Sequence, residues 1–341
     1  MQNLKEPLLA DYSNKDELLE RKRQIRRKQP HLGYIFQFMF ISLLCLQQFS
    51  GKILFTRIPE LSPLQLIVIR TFFSMMFYAI LINVNVKEVL YTSIPRENVK
   101  NLILRCVQGV VMFPLLMIAV KYLPLVFIAL ASNMAPLFTA LLSYLIIREK
   151  LKPLDISVLL ISFVGVIILI TGAPDTKNEP QQNQIGIGLM TVLFFAIPIM
   201  GSINSINQHS MRDFNDFTTG TYVNLILLVL FVPYIYIFED GLIIMNRFEY
   251  YDYLQFILLG GTSVCIGLAR KRALQYLEPG KLGGINFFQS IIQLMIDILF
   301  FGFAFAFQQL IGIVIIFTAN IVKMIIWIRK MRNEKQLPSK I

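Results

Sequence analysis

Charged residues are scarce in this 341-residue chain. Asp, Glu, Lys and Arg together make up 16% of it, while 55% of the residues are hydrophobic. Soluble globular domains carry about 25% charged residues, and here the apolar residues form long runs that leave no polar face for water. This composition excludes a soluble globular protein and predicts a membrane protein.

Histidine and cysteine are also rare. The two histidines, His31 and His209, lie at or beyond the ends of apolar runs, and the three cysteines, Cys45, Cys106 and Cys265, lie inside such runs without metal or redox spacing. We expect buried free thiols rather than disulfides. No Gly-x-Ser-x-Gly motif and no pair of acids within a run is present. The sequence therefore predicts no enzyme activity, no metal site and no cofactor.

The net charge of +11 has an explanation other than nucleic-acid binding. Most Lys and Arg residues lie between the apolar runs and on one predicted side, as the positive-inside rule requires of cytoplasmic segments. Both tails are basic, so both are predicted to be cytoplasmic, which demands an even number of spans. Lys52, Arg57 and Lys121 oppose the rule, because they fall on the predicted outer side.

Ten apolar runs of spanning length can be drawn along the chain. They cover residues 33–49, 63–81, 102–120, 125–147, 154–171, 185–203, 220–238, 253–268, 282–301 and 305–327. The eighth run is short and contains the pair Gly260-Gly261, so its boundaries are the hardest to fix. The predicted organisation is a basic tail (1–32), a five-helix repeat (33–172), a polar linker (173–184), a second five-helix repeat (185–328) and a basic tail (329–341).

Two of these runs carry the same polar stripe. It consists of Ser132, Pro136, Thr139 and Ser143 in the fourth run and of Asn286, Ser290, Gln293 and Asp297 in the ninth. Each residue of the first set stands 154 positions before its counterpart, and the spacing keeps all four on one helix face. The same offset pairs Ala119-Tyr122-Leu123 with Ala273-Tyr276-Leu277, so we infer an internal duplication. Because five spans is an odd number, the two repeats are inverted, a design typical of transporters.

The first half also resembles a known family. The resemblance lies in Leu61-Ser62-Pro63 leading to Arg70, in 102–105 and 122–124, in the stretch from Ala135-Pro136 to Arg148-Glu149-Lys150-Leu151, and in the glycine-bearing span 165–172. These segments are similar to the EamA module of the drug/metabolite transporter superfamily, whose eukaryotic relatives include the solute carrier family 35 proteins. The resemblance implies ten helices in two inverted five-helix repeats with both termini cytoplasmic. The second half departs from it, with Ser290 and Phe303 where the first repeat has Pro136 and Glu149.

Candidate site residues are the polar residues inside the runs. The stripes and their neighbours supply uncharged donors and acceptors, namely Ser132, Thr139, Ser143, Asn286, Gln289, Ser290 and Gln293, which either line a polar cavity or hold helices together. Arg70 and Asp297 are the charged candidates, interpreted as an ion pair that closes the outer side, with Asp297 as a proton carrier in the alternative. Pro136, Gly283 and Gly284 weaken the two striped helices.

The predicted function is transport of a small organic solute, either a metabolite or a nucleotide-sugar-like compound, by alternating access through a central polar cavity. The alternatives are a cation channel or carrier and a transport-inactive membrane scaffold. The expected partners are the solute, the lipid bilayer and a coupling proton or exchanged solute, without nucleic acid; a homodimer remains open. The sequence does not decide between an endomembrane and the plasma membrane.

Overall fold

The computed structural model describes residues 29–83, 86–92, 94, 98–135, 137–138, 153–172, 187–211, 214–239, 241, 248–277 and 285–336. All regular structure within these ranges is helical, which confirms the predicted all-α class for the described part. The helices are α1 (Pro30–Arg57), α2 (Pro63–Ile82), α3 (Val99–Tyr122), α4 (Leu125–Asn133), α5 (Pro153–Thr171), α6 (Ile187–Ser210), α7 (Thr218–Phe238), α8 (Tyr250–Tyr276), α9 (Phe287–Phe301) and α10 (Phe307–Gln336). A π-helical turn, Glu88–Thr92, lies between α2 and α3.

Six of these helices are long and apolar enough to cross a bilayer, namely α1, α2, α3, α6, α7 and α8. The apolar stretches of α5, α9 and α10 are shorter, at Ile156–Thr171, Phe288–Phe301 and Phe307–Ala319. Residues 139–152, which make up much of the predicted fourth run, lie outside the described residues. The structure therefore supports a multi-span protein, with at least six candidate spans.

Several observed helices, among them α1, α3 and α8, extend beyond the apolar runs that predicted them. Helix α8, which corresponds to the short eighth run interrupted by Gly260-Gly261, runs unbroken for 27 residues from Tyr250 to Tyr276. Gly260 of its glycine pair allows close helix packing. A Cβ on Gly260 would lie 2.5 Å from the Cβ of Phe73 and 2.9 Å from the backbone N of Ser74. Glycine at this position lets α8 approach the backbone of α2, because a methyl group would collide with atoms that cannot rotate away.

Contacts between helices identify the two ends of the bundle. At one end, which we call the terminal face, α1 begins near Pro30 beside Leu277, where α8 has just ended. At the other, the distal face, Lys121 at the end of α3 bonds to the carbonyls of Pro59 and Leu61, which lie between α1 and α2. Consecutive long helices therefore alternate in direction.

The segments paired by the 154-residue offset end their helices in the same way. Leu123 follows α3 in extended backbone and donates its N–H to the carbonyl of Ala119 at 2.8 Å. Leu277 follows α8 in extended backbone and donates its N–H to Ala273 at 3.0 Å. One of these ends lies at the distal face and the other at the terminal face. The sequence identity between the two segments thus corresponds to identical local structure in opposite orientations.

Candidate functional site

A cavity of about 270 Å3 lies between the helices and is lined by residues from α1, α2, α3, α4, α6, α7, α8 and α9. Its lining includes Met211, Asp216 and Thr219, which lie at the junction of α6 and α7 on the terminal face. The cavity therefore reaches from the interior of the bundle toward the terminal face. Among the described residues, four basic side chains line it, Arg70, Arg105, Arg270 and Lys271, against a single carboxylate, that of Asp216.

Arg70 is the most deeply buried of these bases. It lies twelve residues from the terminal-face end of α2, about 18 Å at 1.5 Å per residue, and only 1% of its surface is exposed. Its guanidinium stacks on the ring of Phe113 at 4.2 Å, while its Nε and Nη2 have no hydrogen-bond partner among the described residues. The cavity thus contains a buried cation whose donors are unused.

Arg105 approaches the same part of the cavity from α3. Its Nε also has no hydrogen-bond partner within the described ranges. The hydroxyl of Tyr78 lies within electrostatic reach of both Arg105 and Arg70. Gly220 makes room for this tyrosine, because a side chain there would collide with the Tyr78 hydroxyl. Two arginines and one phenol therefore form one wall.

Arg270 forms a second basic position, on α8. Its Nη1 donates to Gln37 Oε1 at 2.9 Å and its Nη2 donates to Ser205 Oγ at 3.2 Å. Gln37 in turn donates to Asn286 Oδ1 at 2.6 Å, so neutral side chains of α1, α6 and α9 orient this guanidinium. Lys271 differs from the arginines, because it donates to the carbonyls of Phe214 and Asn215, both at 2.6 Å, and lies 3.7 Å from Asp216.

Residues that stand 154 positions apart line the cavity together. Seven such pairs occur among the described lining residues, including Arg70 with Asn224, Leu116 with Arg270, and Ser132 with Asn286. The two halves of the chain thus supply equivalent helix positions to one cavity. The charges do not follow this equivalence, since each of these two arginines corresponds to an uncharged residue in the other half.

The predicted site residues divide into two groups. Arg70, Ser132, Asn286 and Gln289 line the cavity, and the buried Nε2 of Gln289 has no hydrogen-bond partner among the described residues. Ser290, Gln293 and Asp297 are buried but do not line it. Thr139, Ser143, Pro136, Gly283 and Gly284 lie outside the described residues.

The buried residues of the α9 stripe join helices instead. Ser290 accepts a hydrogen bond from Asn133 Nδ2 at 2.6 Å, and Gln293 donates to Gln48 on α1. Asn133 ends α4, while Ser290 is near the start of α9. Asp297, farther along α9, contacts the first residues of α4, so the two striped helices run antiparallel where both are described.

The expected Arg70–Asp297 ion pair is wrong. The Asp297 carboxylate accepts hydrogen bonds from the backbone N–H groups of Leu125 at 3.1 Å and Val126 at 2.8 Å, the first two residues of α4. The residue before them is Pro124, which offers no side-chain cap. The first amides of a helix have no partner within it and favour an anion. Asp297 therefore caps α4 from a neighbouring helix.

Sequence reasoning missed Arg105, Arg270 and Tyr78 as cavity residues. Arg270 was interpreted as part of a cytoplasmic loop, because the apolar run ended at 268, whereas α8 continues to Tyr276. The buried residues Ala269 and Ala273 are four positions apart and so share one helix face beyond that point, which is the signal for the longer helix.

The distal face is closed by polar contacts. Lys52 donates to the carbonyls of Lys121 and Leu123 at 3.0 and 3.1 Å, and Arg57 pairs with Glu249 at 2.5 Å and with Asp252 at 3.6 Å. Two further bonds link the start of α2 with the segment after α7: Ser62 Oγ to Glu239 and Gln65 Nε2 to the carbonyl of Gly241. These contacts explain why the cations that oppose the positive-inside rule are found here, since each has partners within the fold.

Comparison with known proteins gives one family match. Residues 33–171 match the EamA-like transporter family, over the segment for which the sequence indicated that resemblance. No curated protein matches the chain. A solved crystal structure of a protein is 15% identical, with a TM-score of 0.57 over 89% of this chain and 99% of its own. That likeness concerns the fold alone, and it extends well beyond residue 171 into the second half.

Proposed function

We propose that this integral multi-pass membrane protein, whose residues 33–171 match the EamA-like transporter family, moves a small organic solute across the membrane by alternating access. In this proposal the two five-helix repeats are inverted, both tails are cytoplasmic, and the solute occupies the cavity between the repeats. The terminal face is then the cytoplasmic side. The coupling ion or exchanged solute and the particular membrane are left open.

The seven equivalent pairs of lining residues are the observation that carries this proposal. A cavity to which two halves contribute the same helix positions can exchange its openings when the halves exchange conformations. The opposite orientations in which α3 and α8 end support the inversion. In a cavity formed by chance, lining residues would not be expected to pair repeatedly at the same sequence offset.

The difference between the two faces supports the same mechanism. The cavity reaches the terminal face, whereas the ion pairs and carbonyl contacts of Lys52, Lys121 and Arg57 hold the distal face together. This arrangement corresponds to an inward-facing state of an alternating-access carrier. A cation channel is disfavoured, because arginines that line a pathway repel cations.

Solute counterflow tests the function directly. The purified full-length protein is placed in liposomes loaded with one unlabelled solute at a time, and uptake of the same labelled solute is followed. A carrier gives uptake that saturates and requires internal solute. Ion conductance without such exchange would support the channel instead, and no flux across a broad metabolite screen would support the scaffold.

Alternating access also predicts one-sided labelling of the cavity. In a variant in which the three cysteines are replaced, we expect Ser132→Cys to react at least ten times faster with a membrane-impermeant thiol reagent added at the terminal face than at the distal face. Ala129→Cys is the matched control, because Ala129 lies on the same helix, is fully buried and does not line the cavity. Equal rates from both sides would contradict a carrier closed at the distal face.

A further inference from the structure

We infer that the solute is an organic anion with at least two negative charges, such as a dicarboxylate, a tricarboxylate or a phosphate monoester. This inference rests on the proposed function for its transport aspect, but its binding aspect stands alone. It comes from three arginines that line the cavity, Arg70, Arg105 and Arg270, none of which has a carboxylate within 4 Å among the described residues.

The surroundings of Arg70 favour an anionic ligand. An arginine deep in a membrane protein is costly to bury, and a buried charge without a partner is strongly destabilising. Stacking on an aromatic ring attracts the cation, but it provides no hydrogen-bond acceptor for the in-plane N–H groups. The contact with Phe113 at 4.2 Å therefore orients Arg70, and the unpartnered Nε and Nη2 remain available for a ligand.

The arrangement of these donors suits carboxylate or phosphate oxygens. The guanidinium of arginine presents a planar fork of N–H groups that binds such oxygens in pairs. Arg70, Arg105 and Tyr78 all line the cavity, and the Tyr78 hydroxyl, within electrostatic reach of both arginines, adds a further polar group there. A first anionic group of the solute would occupy this position.

Arg270 provides the position for a second anionic group. It comes from a different helix and is oriented by Gln37 and Ser205, which are neutral and leave its charge uncompensated. Its equivalent in the other half is Leu116, and the equivalent of Arg70 is Asn224. Because the two halves place their arginines at non-equivalent positions, the cavity would bind an extended dianion in one orientation. Gln289, with its unpartnered Nε2, is placed to donate to an uncharged oxygen of the solute.

The size of the cavity favours a compact anion. Its volume of about 270 Å3 lies just below the range of ~300–1,000 Å3 typical of small-molecule sites. A di- or tricarboxylate or a sugar phosphate suits this space better than a nucleotide sugar. Preorganised cations then give affinity without a further ordering cost on binding.

The test is a binding series with purified full-length protein in lipid nanodiscs at constant ionic strength. The probes are succinate, citrate, glucose 6-phosphate, inorganic phosphate and, as the neutral comparison, glucose; thermal unfolding and calorimetry report binding. We expect at least one organic dianion to raise the midpoint of unfolding and to bind at least tenfold more tightly than glucose. The carboxylate and phosphate arms identify which anion class is preferred.

Arginine variants locate the binding. Arg70→Gln and Arg270→Gln are each expected to weaken binding of the preferred anion at least tenfold, whereas Lys100→Gln, at an exposed position of α3 that does not line the cavity, should leave it within twofold. If one cavity variant does not fold, the other variant and the wild-type probe series still decide the outcome. Preference for glucose, or an equal loss in the Lys100 control, would overturn the inference.

Failure of the inference and failure of the proposed function have different signatures. Anion binding without counterflow of any solute would support the anion site and contradict the transport function. Counterflow of neutral solutes that anions do not inhibit would support the transport function and contradict the anion site.

Discussion

Replacing Asp297 by alanine is expected to lower the free energy of unfolding by about 3–5 kcal/mol, because it removes a buried charged acceptor and leaves the donors of α4 without partners. The carboxylate accepts from Leu125 and Val126, and Pro124 before them provides no substitute cap. Lys52, within electrostatic reach of the carboxylate, would lose a compensating charge as well. Equilibrium unfolding in nanodiscs or mixed micelles measures the change.

The order of three variants makes this prediction specific. Asp297→Asn keeps one oxygen that can accept a hydrogen bond and replaces the other by an amino group that cannot. Its free energy of unfolding should therefore lie between those of wild type and Asp297→Ala. Leu299→Ala, on the same helix but 69% exposed, is expected to change the free energy of unfolding by less than about 1 kcal/mol. A wild-type stability for Asp297→Asn together with lost pH-dependent flux would favour the proton carrier over the cap.

Adding one methyl group to Gly220 is expected to reduce solute affinity and flux at least tenfold. The new Cβ of Gly220→Ala would collide with the Tyr78 hydroxyl. Tyr78 is only 3% exposed and packs edge-on against Phe217, with ring centroids 6.3 Å apart, so the ring can yield mainly toward the cavity. Its movement would disturb the space between Arg70 and Arg105. Overpacking of this kind typically costs about 1–3 kcal/mol, which thermal unfolding would register beside the counterflow rate.

Gly267→Ala is the matched control for that prediction. Gly267 also lines the cavity and faces the same hydroxyl, but a Cβ there would lie 3.5 Å away, an ordinary contact. Because alanine is favoured over glycine inside a helix by about 1 kcal/mol, this variant is expected to be as stable as wild type or slightly more stable. Equal losses in both variants would show that the Tyr78 contact does not limit the cavity.

The polar stripes illustrate what a sequence pattern can predict. The offset of 154 pairs several positions that lie close together in the structure: Ser132 and Asn286 line one cavity, and α4 and α9 run antiparallel where both are described. Periodicity gives the helix face, but a buried face is polar both when it lines a cavity and when it bonds to another helix. Gln293 and Asp297 belong to the second kind, and their partners, Gln48 and the amides of α4, come from distant parts of the chain.

The positions of the basic residues also show what a sequence pattern cannot predict. Counting Lys and Arg by loop treats each as a solvated charge, which suits the tails but misreads residues inside the fold. Lys52 and Lys121 opposed the rule because backbone carbonyls hold them at the distal face. Arg270 obeyed the rule and was therefore not recognised as a cavity residue.

The sequence by itself determined that the chain is an all-helical, multi-span membrane protein with an EamA-like first half and related polar stripes. Composition and periodicity suffice for this, because the bilayer imposes long apolar helices. Only the tertiary structure decided which polar side chains face the cavity, which cap or bridge helices, and which arginines have no carboxylate beside them within the described part of the chain. These distinctions depend on partners more than a hundred residues away in the sequence, such as Asp297 for the amides of α4. A hydropathy pattern cannot predict such contacts.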